Sequence, residues 1–178
     1  MKHIILIGFK HVGKSVVGQA LSEELNMPFL DIDRVIEDVY AKREGGMLSC
    51  RQIVEKHGLQ YFRDLESEVL SRTLDQRTAH VIAPGGGVAM RLENQILLQN
   101  HVVVHVTADK NKVFERIMVS GRPAFFPKDE EPIVGFKRIW EERMPMYESL
   151  AHHTISNNTI VADSVREIVS VLELVQTL

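Results

Sequence analysis

Ile4-Ile5-Leu6-Ile7-Gly8-Phe9-Lys10-His11-Val12-Gly13-Lys14-Ser15-Val16-Val17 is the stretch that decides the fold. Its four leading apolar residues form a run ended by glycine, the pattern of a strand buried on both faces in a parallel sheet. From Gly8 to Ser15 the chain fits G-x-x-x-x-G-K-[ST], the pattern of a phosphate-binding loop. The glycines permit the tight turn and let backbone N–H groups face phosphate oxygens. Lys14 places a cation on the β- and γ-phosphates of a nucleotide, and Ser15 offers a hydroxyl to Mg2+. Beyond Gly13, Val17, Ala20, Leu21 and Leu25 fall on one helical face, so the positive end of a helix points at the anion. ATP with magnesium is therefore the expected ligand. Gly8, His11, Val12, Gly13, Lys14, Ser15 and Val16 are the candidate nucleotide contacts. The side chains of Lys10 and His11, at variable positions of the pattern, read as solvated rather than catalytic.

Working outward, short apolar runs alternate with helical stripes. Phe29-Leu30 reads as a strand running into Asp31, Val81-Ile82-Ala83 as another, and Val102 to Val106 as the clearest, being mostly β-branched. Thr159-Ile160-Val161 reads as the last strand, with a final helix from Ser164. Ser49 and Asp109 are candidate helix caps. This alternation predicts an α/β domain with a parallel sheet and right-handed crossovers, one domain over residues 1–178. Between Gly121 and Pro132 the sequence is polar and proline-rich without periodicity, which predicts a mobile lid at about 121–132.

Composition narrows the partners. The chain has 178 residues, 44% hydrophobic and 25% charged, with a formal net charge of −3. A net acidic balance argues against a nucleic-acid partner. The single cysteine, Cys50, permits no internal disulfide and reads as a small buried filler. No stretch approaches the roughly 18 apolar residues of a membrane span, and Ile4 to Ile7 is too short for a signal peptide. A cytoplasmic monomer with no membrane partner is the expectation. His152 and His153 have no ligand-spaced partner and read as structural or exposed.

Three further clusters stand out. Asp31-Ile32-Asp33 follows the second strand, and alternate residues of an extended segment share a face. Both carboxylates can then face a cleft at the carboxyl ends of the strands, one for Mg2+ and one for a substrate hydroxyl. A helix N-cap at Asp33 explains one of them equally well. Arg63 and Glu66 are i,i+3 on a helix, either a solvated pair or a means of holding the guanidinium for a substrate carboxylate. Pro84-Gly85-Gly86-Gly87 is either a flexible turn or a close approach of backbone to ligand. Arg63, Arg122 and Arg143 together can clamp carboxylate and phosphate.

This ordered set resembles the shikimate kinase family. The family carries a phosphate loop of this form, D-x-D with a following I-E step (Asp31 to Asp33, Ile36-Glu37), and F-R-x-x-E (Phe62 to Glu66). It also carries a triple glycine after a buried strand (Gly85 to Gly87), R-P in the lid (Arg122-Pro123) and R-x-P-x-Y (Arg143 to Tyr147). The resemblance implies a nucleoside-monophosphate-kinase-like fold and transfer of the ATP γ-phosphate to the 3-hydroxyl of shikimate. By the same resemblance Lys14 holds phosphates, and Ser15 and Asp31 serve magnesium. Asp33 orients or deprotonates the attacking hydroxyl. Arg63, Arg143 and Gly85, Gly86 and Gly87 make the shikimate pocket. Arg122 swings in toward the phosphates, and Arg116 stacks on adenine. The chain departs from the pattern at Lys10-His11, at Val16 and Pro84 where hydroxyl residues are common, at Ala124-Phe125-Phe126-Pro127 where leucines usually stand, and near Ser156 to Asn158, a poor match to the family's adenine-contacting loop. A kinase for another small polyol acid such as gluconate, and a nucleotide-binding regulatory module, remain as alternatives.

The loop motif generates a direct test. Lys14→Ala is expected to abolish turnover and to weaken ATP binding, measured by coupled ADP release and by nucleotide titration. Near-normal activity would remove the phosphate-loop assignment.

Overall fold

Ile4, Ile5, Leu6 and Ile7 form β1 (Ile4–Ile7), and all four are buried. In this computed structural model the described residues are 2–121, 123, 126 and 129–176, the last three by backbone alone. β1 is an interior strand, with a neighbour on each edge. It pairs in parallel with β3 (Val81–Ala83) on one side and β4 (Val102–Thr107) on the other. Next to β3 lies β2 (Phe29–Asp31), and beyond β4 lies β5 (His153–Ser156), giving a five-stranded parallel sheet of order β2-β3-β1-β4-β5. The register sets Ile4 opposite both Val81 and Val102, so the strands end at a common edge.

Helices return the chain between strands. They are α1 (Lys14–Glu24), α2 (Ile32–Glu44), α3 (Cys50–His57), α4 (Leu59–Leu74), α5 (Leu92–Leu98), α6 (Lys110–Val119), α7 (Pro132–Leu150) and α8 (Val161–Gln176). Local chemistry sets several ends. Ser49 and Gln52 form a reciprocal capping box on α3, and the Asp109 carboxylate accepts from the N–H groups of Asn111 and Lys112 to start α6. Lys42 and Arg43 close α2 before Gly45, which takes the left-handed conformation at φ 74°. Pro132 opens α7 where its missing N–H costs nothing. Tyr40, Phe136, Tyr147, Val113 and Ile117 fill the space between helices and sheet and are each almost wholly buried.

Three expectations change. The last strand is His153–Ser156 and not Thr159 to Val161; Ile160 is 65% exposed, and α8 starts at Val161 rather than Ser164. The β-branched run at 159–161 mimics a strand, whereas β5 is an edge strand whose single wholly buried residue, Ile155, gives a weak pattern. The cap of α2 is Asp31, whose Oδ1 accepts from the Asp33 N–H at 3.1 Å, so Asp33 sits inside the first turn. Of the expected lid, Arg122, Ala124, Phe125, Pro127 and Lys128 lie outside the described residues. Phe126 is buried, and its N–H bonds to the Pro123 carbonyl at 3.1 Å. No helix among the described residues is long and apolar enough to cross a membrane.

His105, in β4, is 1% exposed, and neither ring nitrogen has a hydrogen-bond partner among the described residues. Burial, aided by the Lys14 charge, pushes its pKa from 6.5 down to about 4. Above pH 6.5 the ring is neutral in folded and unfolded chains alike. Below it the unfolded chain binds a proton that the folded chain refuses until about pH 4, so stability falls as pH drops through that window. His105→Phe should remove a slope of up to about 1.4 kcal/mol per pH unit there, read from urea midpoints at pH 4 to 7. Parallel pH slopes for the parent and the variant would contradict this account.

Candidate active site

The carboxyl ends of β1, β2 and β3 meet on one edge of the sheet, and each carries one predicted cluster. Following β1, the loop from Gly8 to Gly13 turns over the sheet into α1. Gly8 has φ +145°, and a Cβ there would stand 2.2 Å from the Val106 carbonyl oxygen of β4, so only glycine fits. From the far side Asn157 reaches in, donating from Nδ2 to the Val12 carbonyl at 2.9 Å. Asn158 accepts the Asp109 N–H at 2.6 Å and so ties the same loop region to the start of α6. Lys14 Nζ donates to the carbonyls of Gly8 (3.0 Å) and Phe9 (2.9 Å). Desolvation lowers its pKa to about 8, against the opposing pull of Asp33 and Asp31.

Beside Lys14, Ser15 Oγ donates to Asp31 Oδ2 at 2.7 Å. Asp33 stands on the wall of the open cleft, where solvent reaches it while protein atoms crowd the carboxylate. Incomplete solvation, then Asp31, raises its pKa, and Lys14 and Lys10 oppose the shift. Arg116, on α6, donates to the His11 carbonyl at 3.2 Å. His11 has φ +65°, and its buried Nε2 has no partner among the described residues. Burial and then Lys10 push the His11 pKa down, so its ring is not a second cation at the loop.

The glycine turn after β3 is shaped by what lies against it. A Cβ on Gly87 would stand 2.1 Å from the Arg63 guanidinium, and one on Gly85 would stand 3.0 Å from both Asp33 Oδ1 and Glu66 Oε1. These glycines are therefore no plain flexible turn: the side chains of Arg63, Asp33 and Glu66 take the space a Cβ would need. Arg63 and Glu66, one turn apart on α4, pair at 2.5 Å with Glu66 1% exposed, so this is no solvated pair. Burial raises the Glu66 pKa against the pull of Arg63, and its Oε1 has no partner among the described residues. On α7, Arg143 is buried with its guanidinium 5.7 Å from the Phe9 ring centroid. One turn on, the Tyr147 hydroxyl donates to the Gly86 carbonyl. Burial pushes that hydroxyl's pKa up to about 12, so it remains a donor.

Two adjoining cavities result. One, of about 190 Å³, is bounded by Asp33, Arg63, Glu66, Gly87 and Arg143, with Cys50 on its floor. Burial pushes the Cys50 thiol well above its ordinary range, which keeps it protonated and inert. The other, of about 450 Å³, is bounded by His11, Gly13, Lys14, Ser15, Asp31 and Arg116, with Val16 at its edge. Asp33, Gly85, Gly86 and Lys10 line both. Of the predicted residues, Gly8 and Val12 build the loop from behind and line neither cavity, and Arg122 lies outside the described residues. Sequence reasoning passed over three contributors. Asn157 carried no recognisable signal, Tyr147 was legible only as a motif letter, and Lys10 was read as plain solvent-facing.

The shikimate kinase family model matches residues 10–173. The shikimate kinase of Thermodesulfovibrio yellowstonii is 36% identical over 169 residues, covering 94% of this chain and 92% of the relative. The structure of Acinetobacter baumannii shikimate kinase, solved in complex with shikimate, matches at a TM-score of 0.83 and 28% identity, covering 97% of this chain and 93% of that one. A gluconokinase structure from Sinorhizobium meliloti matches at 0.58 and 19% identity over 93% of this chain and 88% of its own, which is likeness of fold alone. The geometry around β1 and a family match that runs along nearly the whole chain agree, and the chain belongs to the shikimate kinase family.

Proposed function

We propose that the two cavities are the acceptor and nucleotide halves of one site, in which the ATP γ-phosphate passes to the 3-hydroxyl of shikimate. The observation that carries this reading is the shared wall. A cavity with two guanidinium groups, from Arg63 and Arg143, opens through Asp33 onto the cavity that contains Lys14. Guanidinium groups match a carboxylate in charge and planarity, so the acid end of the acceptor sits at Arg63 and Arg143. Its hydroxyl end then faces Asp33. The β–γ phosphate bond of ATP breaks and leaves ADP, the bond from acceptor oxygen to phosphorus forms, and the hydroxyl proton passes to Asp33. A carboxylate whose pKa is raised by its surroundings is a better proton acceptor than a fully solvated one. Lys14 is already surrounded by carbonyl oxygens, and it exchanges those acceptors for phosphate oxygens. Phosphoryl transfer depends chiefly on such positioning and charge stabilisation.

Ser15 and Asp31 suit magnesium. A hydroxyl and a carboxylate in mutual contact are hard oxygen donors, and Mg2+ is usually held by one or two carboxylates with waters and substrate phosphates. Ser15 would be a direct ligand and Asp31 a water-mediated one, and the bound ion supplies charge neutralisation at the phosphates. Arg116, at the mouth of the nucleotide cavity, stacks on the adenine, and Arg122 serves the phosphates. We take the protein to work as a single-domain monomer in the cytoplasm. A coupled ADP-release assay with shikimate, quinate, gluconate and no acceptor tests the acceptor. Shikimate alone should support full turnover, and a preference for gluconate would overturn the substrate while leaving the kinase intact.

Two substitutions test the roles. Asp33→Asn keeps the side-chain size, and the α2 cap at Asp31 is untouched, so turnover should fall a hundredfold or more while ATP binding persists; the expected loss is about 10²-fold or greater for a general base. Turnover within a few-fold of the parent would assign Asp33 to structure. Arg143→Gln should raise the Michaelis constant for shikimate on the order of thirtyfold or more, with little change for ATP. Trp140, its ring 5.1 Å from Phe9, should also lose the emission change that shikimate causes in the parent. Equal effects on both substrates would move Arg143 out of the acceptor site. Arg63 is a poorer choice, because its loss strands the buried Glu66 carboxylate.

A further inference from the structure

Lys10 adds a cation to the cleft beyond those of Lys14, Arg63 and Arg143. It lies in the loop between Phe9 and His11, is exposed, and lines both cavities. Among the described residues Asp33, Gly85 and Gly86 share that placement, on the wall common to the two cavities. Its backbone packs closely on the glycine turn, where a Cβ on Gly86 would stand 3.3 Å from the Lys10 nitrogen. Among the described residues no hydrogen bond or ion pair engages its ammonium, whereas Lys14 is held by two loop carbonyls and Arg63 by Glu66. A loop of this kind needs no lysine at this place for its turn or its caps. The position is one at which a cation meets neither cavity's ligand in full and both in part.

We propose that Lys10 is a further catalytic residue of this kinase, contacting the phosphoryl group in transit between the two cavities, where ATP and acceptor oxygens share negative charge. This rests on the reading of the cavities given above. While the β–γ bond breaks and the acceptor bond forms, charge sits on the equatorial oxygens of the transferring group. Lys14 approaches that group from the loop side, and Lys10 approaches from the opening toward the acceptor. Both groups are cations, and a shared anion relieves their mutual repulsion.

The test compares the parent with Lys10→Met and Lys10→Arg in the full chain, with ATP, magnesium and shikimate. Methionine keeps the length and removes the charge. Lys10→Met should lower kcat about tenfold to a hundredfold, less than the loss of a fully enclosed donor because Lys10 is exposed, with both Michaelis constants within about threefold. Lys10→Arg should restore most of kcat. Thermal unfolding followed by Trp140 emission should be unchanged in both variants. A Lys10→Met enzyme with kcat within twofold of the parent overturns the proposal. So does a loss that Lys10→Arg does not restore, or one accompanied by a matching fall in thermal stability. The parent guards the underlying reading separately. If it releases no ADP with shikimate, the acceptor assignment fails; if it turns over normally while Lys10→Met equals it, only the Lys10 assignment fails.

Discussion

The ring of Phe9 holds the site together. It is wholly buried although it belongs to the phosphate loop, a segment that must face ligand. Its ring packs edge-on to Phe136 with centroids 5.5 Å apart and lies 5.1 Å from Trp140, both on α7. The Arg143 guanidinium lies over its other side. One apolar anchor thus fixes the loop that carries Lys14 and the helix that carries Arg143 in a single geometry. Burying a ring of this size contributes on the order of 2–3 kcal/mol, enough to hold a loop whose polar backbone would otherwise favour water. Asn157, just past β5, does the polar half of the same task, bonding Val12. The loop is held by an aromatic cluster on one side and by an amide on another.

The cleft concentrates charge in a place that solvates it incompletely. Asp33, Glu66 and Lys14 all have pKa values moved toward the neutral form, in each case chiefly by desolvation. Their mutual attraction offsets only part of that cost. Such an arrangement is unfavourable for stability and favourable for chemistry, because groups deprived of water interact strongly with whatever enters. The glycine turn makes this crowding feasible. With no Cβ at Gly85 or Gly87, two carboxylates and a guanidinium occupy volume that a side chain would take, and Tyr147 holds the turn in place through Gly86.

Four of the departures from the pattern lie close together: Lys10 and His11 in the loop, Val16 at its end and Pro84 at the start of the glycine turn. Val16 is 60% exposed. All four line the cavity that contains Lys14, while Arg63, Glu66 and Arg143 line the other. Arg51, which lines the cavity beside Arg63 and Arg143, pairs among the described residues with the exposed Glu55, an interaction of small energy.

The sequence by itself determined β1, its loop, the alternation of strands and helices, and the types of residue at each strand end. These are local properties: a buried strand must be continuously apolar, a phosphate loop needs glycines and a lysine at set intervals, and a capping serine or aspartate acts within four residues. It also placed Arg63 and Glu66 one turn apart, since helical geometry alone brings them together. It misplaced β5, because an edge strand owes its existence to β4, and the β-branched run at Thr159 to Val161 has no such partner to pair with. It put the α2 cap at Asp33, whereas the chain's turn out of β2 makes Asp31 the cap. Only the tertiary structure decided that Asn157 would grip Val12, 145 residues away in sequence, and that Lys10 would stand where two cavities meet. Each of these depends on distances between segments remote in sequence, and those distances follow from how helices pack on the sheet rather than from any pattern within a single segment.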